Sequence, residues 1–247
     1  MSGTPTRYDT IGRGYAQYRR PDPRIEEQIW RAVGDATTIV NVGAGTGSYE
    51  RAGRSIVAVE PSDVMARQRP ASAGPVLRAA AECLPFADRT FDVALALMTV
   101  HHWEDMVRGI AEMRRVAERL VIFTFEPALH DSLWVFTEYV PASLGFAHEA
   151  PLTAVSGAVG RCRVEVVPVP ADCTDGFAIA YWRRPGMYLD RSARDCISAF
   201  ARLGDDDVLP GMHRLERDLR SGAWAQRHAD LLDLHEVDLG LRLVVSE

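Results

Sequence analysis

The chain has 247 residues, 47% of them hydrophobic, enough apolar material to bury a sizeable core in one α/β unit. Its 28 basic residues, all arginine, are outnumbered by 34 acidic ones for a net charge of −6, and they are scattered, which argues against the basic patch that a nucleic-acid surface needs. No apolar run reaches the roughly 18 residues of a membrane span, and the polar first nine residues lack the apolar core of a secretory signal.

In chain order, residues 8–20 and 24–34 read as helices separated by Pro21-Asp22-Pro23, where proline stops one helix and opens the next. The first carries Tyr8, Tyr15, Tyr18 and Arg19, with Tyr15 and Arg19 on one face at i, i+4. Residues 38–42 form a β-branched run that reads as a buried parallel strand, and it empties into Gly43-Ala44-Gly45-Thr46-Gly47. Glycine there permits positive φ and lets a ligand approach the backbone. A second strand, 55–60, ends on the carboxylate of Glu60. A turn beside one strand tip and an acid on the next make a nucleoside site, with backbone for the polar tail and carboxylate for the ribose hydroxyls. The last two glycines are two apart, whereas the dinucleotide fingerprint spaces them three apart to seat a pyrophosphate; the tighter spacing suits a mononucleoside-like ligand. Read without its downstream segments, the same stretch is also compatible with a plain strand-to-helix turn and an unrelated Glu60.

A short helix near 62–68, a weak third strand at 76–79 and a fourth at 91–97 follow. Asp105 is placed to cap a helix whose apolar face is Met106, Ile110, Met113 and Ala117, and residues 120–125 form a fifth strand. Glu126 then either touches substrate or caps the next helix. This alternation gives a parallel sheet with right-handed crossovers. Residues 163–169 and 237–245 read as late strands, separated by helical patterns at 177–189, 191–203 and 211–233, and Gly157 to Gly160 as a short turn. The aromatic residues Trp134, Phe136, Tyr139, Tyr181, Trp182 and Trp224 cluster in this half, which is expected to fold as a cap over the carboxyl ends of strands 4 and 5. Cys83, Cys162, Cys173 and Cys196 have no metal-ligand spacing, so no metal is expected and the thiols read as reduced and cytoplasmic.

Four segments, Val40 to Gly47, Val57 to Ser62, Ala81 to Phe86 and Phe91 to Leu97 running into His101-His102-Trp103, resemble the class I S-adenosylmethionine-dependent methyltransferases, the small-molecule branch similar to the ubiquinone/menaquinone-type enzymes. The resemblance implies a Rossmann-like, seven-stranded, mostly parallel sheet with an antiparallel edge pair and a helical cap inserted before the last strand. It divides a single domain, 1–247, into N-terminal lid helices (1–35), a cofactor-binding core (36–127), cap and substrate elements (128–160 and 174–234) and late strands (161–170 and 236–246). It implies S-adenosylmethionine as cofactor, leaving as S-adenosylhomocysteine. Gly43, Ala44, Gly45 and Gly47 would wrap the methionine part and Glu60 would hold the ribose diol, with Pro61, Ala81, Glu82 and Met98 completing the site. Many relatives carry Asp where this chain has Ala80, so the adenine amino group would need another partner, such as Glu82. Tyr15 and Arg19 would belong to the lid, Arg19 pairing with the methionine carboxylate. His101 or His102, at the tip of strand 4, would serve as a base, and Trp103, Trp134, Tyr139 and Trp182 as substrate wall. The aromatic insertion without a basic surface points to a small aromatic or heteroaromatic acceptor, methylated on O, N or C, with no nucleic-acid or membrane partner. Secondary metabolism is the expected setting, and arginine as the sole basic residue type together with much Ala, Val and Leu points to a high-GC bacterial source; a nicotinamide-dependent oxidoreductase and a non-catalytic S-adenosylmethionine-binding protein are the alternatives. Oligomeric state is not legible.

Overall fold

The computed structural model describes residues 18–145 and 150–247. Helix α1 (Pro23–Val33) starts where Asp22 accepts the Arg24 amide at the cap position and Pro23 supplies a first-turn φ. Strands β1 (Thr38–Val42) and β2 (Ser55–Val59) follow, then α2 (Asp63–Ala66), β3 (Val76–Leu77), β4 (Phe91–Leu97), α3 (Met106–Val116) and β5 (Ala117–Phe125). Asp105 caps α3 by accepting the Arg108 amide at 2.9 Å. Beyond β5 come α4 (Pro127–Asp131), α5 (Leu152–Val159), β6 (Cys162–Val166) and β7 (Val169–Pro170). The cap then contributes α6 (Arg191–Asp195), α7 (Ser198–Ala201), α8 (Asp205–Ser221), α9 (Ala223–Arg227) and α10 (Ala229–Leu232), before β8 (Glu236–Val237) and β9 (Leu241–Ser246).

Seven strands form one sheet in the order β3-β2-β1-β4-β5-β9-β6, and β7 pairs with β8 in a separate two-stranded ladder. β1 through β5 are mutually parallel, while β9 is antiparallel to both β5 and β6. The expected antiparallel pair is therefore β6 with β9, but the reversed strand lies inside the sheet and β6 holds the edge. The parallel strands are buried on both faces and side chains alternate between two apolar layers. Ile39, Val93, Leu95, Val121 and Phe123 face α1 and the cap, and Val40, Val42, Ala94, Ala96 and Ile122 face α3 and α5.

The second half departs from its sequence pattern in informative ways. The stretch from Gly157 to Gly160 is the end of a helix, α5, which stops at Gly160 with φ 82°. Val155 and Val159 of α5 pack with Ile110, Met113 and Val116 of α3. So α5 closes the face opposite the cap, and the cap does not extend across 128–160 as expected. Residues 177–189 make only 3-10 turns, Ala178–Tyr181 and Pro185–Leu189, because Pro185 cannot continue the preceding hydrogen-bond ladder. The long cap helix, α8, begins at Asp205 and ends at Gly222, whose φ of 78° terminates it.

α8 packs its Gly211 directly on the segment Val135–Tyr139, so closely that a Cβ there would stand 1.9 Å from the Tyr139 carbonyl oxygen. Gly211→Ala should therefore destabilise the protein by about 1–3 kcal/mol in chemical denaturation, the usual cost of overpacking a filled contact. At the other end of the sheet, Asp92 accepts from the Thr38 amide and from the Thr37 hydroxyl and amide, which hold its carboxyl at about 2. This pKa lies below the unfolded value, so the stabilisation is complete above roughly pH 4 and is lost as the pH falls through about 2. Asp92→Asn should flatten that limb of an acid-denaturation curve.

Candidate functional site

The strand order reverses at β1, whose neighbours are β2 and β4, and open α/β sheets bind ligands beyond the carboxyl ends of their strands at such a point. There the chain turns through Gly43, Gly45 and Gly47 at φ 69°, 55° and 83°, conformations that strain any residue with a Cβ. The amides of Gly43 and Ala44 both donate to the Val59 carbonyl, at 2.8 and 3.0 Å, fastening the turn to the end of β2. On its other side Gly43 meets Thr99, just beyond β4: a Cβ on Gly43 would stand 2.2 Å from the Thr99 hydroxyl oxygen. Glu60, 7% exposed, accepts the Gly45 amide on Oε2 and the Ser62 amide on Oε1, both at 2.8 Å. Ser62 in turn caps α2. Under the turn lies a buried ion pair, Arg69 Nη2 to Glu50 Oε2 at 2.7 Å, and Asn41 donates to the other Glu50 oxygen at 2.8 Å. The turn and carboxylate fit the expected cofactor. At Gly45 a Cβ would meet nothing nearer than the Met65 methyl at 3.4 Å, so the backbone is bare toward a ligand, and the carboxylate is fixed at the end of β2 where a ribose would lie.

Met98, one residue past β4, has a φ of 55°, a conformation that a non-glycine residue keeps only when its surroundings enforce it. It lines a pocket between the ends of β4 and β5 and the cap, with an empty volume of about 880 Å³, open mouth included. His101 and His102 stand beside Met98; Phe125, His130, Asp131 and Phe136 come from β5 and the segment after it; Phe177, Ile179, Ile197 and Arg202 come from the cap. The His101 Nδ1 is sealed from solvent and, among the described residues, has no hydrogen-bond partner. Burial, then the charges of His102, His130, Arg202 and Arg19, hold the His101 pKa well below its ordinary value. The ring is therefore neutral at physiological pH and a weak base, which corrects the expectation of a base with an ordinary imidazole pKa at that position.

The structure scatters the expected substrate wall. Trp103 lies flat on α3, so close to Gly109 that a Cβ there would be 2.4 Å from its ring, and it packs in the layer opposite the pocket. Trp134 is 4% exposed and donates its indole N–H to the Trp182 carbonyl; Trp182 is fully buried and donates to the Val169 carbonyl. Tyr139, 2% exposed, donates to Asp218 at 2.7 Å, and burial pushes its hydroxyl far up. None of these four residues lines the pocket. Trp134, Tyr139 and Trp182 are packing residues, because indole and phenol rings that find a polar partner for their N–H or O–H bury well, and Trp103 packs through ring contact with α3. Ala81 is buried beside Trp103 and Gly109, and Glu82 accepts the Asp105 amide at 3.1 Å, so it steadies the start of α3. Pro61 is partly exposed beside Ser62.

Arg19 does line the pocket, and its guanidinium is bound by Asp175 of the cap side at 2.6 Å. Asp175 is fully buried and also accepts the Tyr49 hydroxyl at 2.8 Å. Tyr15 lies outside the described residues. Cys83, Cys162, Cys173 and Cys196 are all unpaired, and burial pushes the Cys173 thiol up to about 12. Among the described residues no group of His, Cys, Asp or Glu is arranged to hold a metal ion, and no helix is long and apolar enough to cross a membrane. Sequence reasoning missed His130, Asp131 and Asp175. The first two lie just past the end of a parallel strand, a position that itself points to a site, but Asp175 carries no local signal.

Comparison with known proteins agrees with this geometry. The model of a methyltransferase domain family matches residues 40–124. A crystal structure of a proposed methyltransferase from an antibiotic biosynthesis pathway of Anabaena variabilis is 30% identical, covers 94% of this chain and 100% of its own, and superposes with a TM-score of 0.86. An uncharacterised protein of Methanocaldococcus jannaschii is 29% identical over 52% of this chain and 53% of its own length, so the chain spans about half the length of that curated relative. The [4+2]-cyclase SpnF, 15% identical and covering 99% of this chain and 98% of its own, shares the fold at a TM-score of 0.53.

The Gly43 contact is testable by a double substitution. Gly43→Ala should lower stability by about 1–3 kcal/mol through overpacking and positive-φ strain, and adding Thr99→Ala should restore the overpacking part, as read by thermal denaturation.

Proposed function

The chain belongs to the class I S-adenosylmethionine-dependent methyltransferases, and we propose that within this family it methylates an O, N or C atom of a small aromatic or heteroaromatic molecule held under the cap. One observation carries this reading: Met98 and Thr99 are consecutive, Met98 lining the cap pocket while Thr99 wedges the glycine turn, so two sites meet at the tip of β4. S-adenosylmethionine supplies an electrophilic methyl group on a sulfonium. The glycine turn 43–47 holds its polar tail through bare backbone, and Glu60 grips the ribose diol. Pro61 and Glu82 would border the adenine side, and Arg19 would close over the methionine end. Direct displacement needs alignment and dryness more than covalent help, and the buried apolar lining of Phe125, Phe136 and Ile197 excludes water around the acceptor.

The aromatic and heteroaromatic class is supported by the Phe125 and Phe136 rings and by a lining in which, among the described residues, Arg19 and Arg202 are the arginines. A non-catalytic binding protein would fill the acceptor space with its own side chains, whereas here a pocket lined by Met98, Phe125, Phe136 and Ile197 opens at the tip of β4. A role in secondary metabolism is supported by the Anabaena relative's antibiotic pathway, and the unpaired thiols favour a cytoplasmic setting.

Calorimetry with S-adenosylhomocysteine and with NAD, side by side, tests the cofactor assignment. The first is expected to bind and the second not. Glu60→Gln should weaken S-adenosylhomocysteine by about 1.5–3 kcal/mol, the worth of hydrogen bonds to a charged acceptor. Unchanged affinity in that variant would remove Glu60 from the site.

A further inference from the structure

The pocket contains a histidine in a setting unlike that of His101. His130 lies in the last turn of α4, and its Nδ1 is 3.1 Å from Oδ1 of Asp131. The other carboxylate oxygen of Asp131 accepts the Gly145 amide at 3.0 Å, so the acid is itself held in place. The imidazole ring lies between two phenylalanines, its centroid 4.9 Å from Phe125 and 5.1 Å from Phe136, nearly parallel to the latter at 21°. An acid at Nδ1 fixes the tautomer: Nδ1 carries the proton and Nε2 keeps its lone pair. Among the described residues Nε2 has no hydrogen-bond partner. Both side chains are mostly buried, at 12% and 13% exposure, and both line the pocket. Among the described residues, the charged and titratable groups that line the pocket with them are His101 and His102 from the tip of β4, Arg19, and Asp195, Cys196 and Arg202 from the cap.

We propose that His130 is the catalytic base of this methyltransferase, with Asp131 as its positioning residue, and that the acceptor presents an acidic O–H or N–H on a flat ring. The inference rests on the methyl-transfer reading above and adds to it the proton's destination. The O–H or N–H bond of the acceptor breaks and an N–H bond forms at Nε2, while the electron pair stays on the acceptor atom as the nucleophile. Asp131 then faces an imidazolium, and its carboxylate stabilises the charge until water takes the proton. The arrangement is a base oriented by an acid that is oriented in turn by a main-chain amide, in a pocket whose phenylalanines match a flat ring. His101 is poorly suited to this part, because burial disfavours the imidazolium it would become.

The test uses the full chain with S-adenosylhomocysteine bound and 4-nitrophenol as a probe acid, at a pH where the free probe is mostly protonated. Wild type is expected to show phenolate absorption above that of the free probe. His130→Gln should abolish the excess while leaving S-adenosylhomocysteine affinity unchanged, and Asp131→Asn should reduce it. In nitrogen-15 spectra of histidine-labelled protein, His130 should carry its proton on Nδ1 in wild type and become a tautomer mixture in Asp131→Asn, a change that a merely structural role for Asp131 would not produce. A wild-type complex without excess phenolate overturns the proposal, as does an excess that survives His130→Gln or a wild-type proton on Nε2. If wild type fails to bind S-adenosylhomocysteine at all, the cofactor assignment falls first and the base with it, which distinguishes the two failures.

Discussion

Everything at the site depends on how the main chain leaves β1. Gly43 packs against Thr99 with no room for a side chain, and its amide and that of Ala44 share the Val59 carbonyl. The turn is thus clamped between the strands on either side of β1, which imposes three demands. The backbone must run at positive φ, so glycine occupies Gly43, Gly45 and Gly47. The Gly45 amide must find an acceptor, and Glu60 is the one within reach. Thr99 must stay where it is, which fixes Met98 in its strained conformation and with it the floor of the pocket.

The buried charges around this turn act as braces. Glu50 and Arg69 are each at most 6% exposed and sit beneath Gly47. Removing either partner would leave the other charge in an apolar setting, which costs more than the pair contributes. Asp175 performs a related task farther out, where one carboxylate holds both the Tyr49 hydroxyl and the Arg19 guanidinium. Burial and that carboxylate push the Tyr49 hydroxyl well above its ordinary pKa, so it remains a donor at any physiological pH. The glycine turn, the segment before α1 and the cap side are joined at a single acid.

The first half of this organisation is legible in the sequence because it is local. A β-branched run buried on both faces, a glycine turn, an acid at the next strand tip and an Asp before an amphipathic run each follow from nearest-neighbour chemistry, and β1, β4 and α3 fall where that chemistry puts them. The fold class is legible for the same reason. The cap is not. Apart from α8 its helices are short, and Pro185, Gly204 and Gly222 interrupt the pattern, so the stability of the short pieces comes from tertiary packing rather than propensity. Aromatic composition cannot tell a substrate wall from a core, which is why Trp134, Tyr139 and Trp182 read as site residues although their polar atoms are already engaged with Trp182, Asp218 and Val169. The His130–Asp131 pair depends on Gly145 and Phe136 for its geometry, neither of which its immediate neighbours reveal.

The reversed strand β9 has a consequence for how the molecule assembles. β6 pairs with β9, and the whole cap is synthesised between them. Until β9 emerges, β5 and β6 stand apart with a missing slot between them, and the backbone edges that each offers to β9 are unpaired in the nascent chain. The closing step is a long-range insertion that must wait for the cap to collapse first, a topology that folds slowly and exposes sticky edges in the meantime.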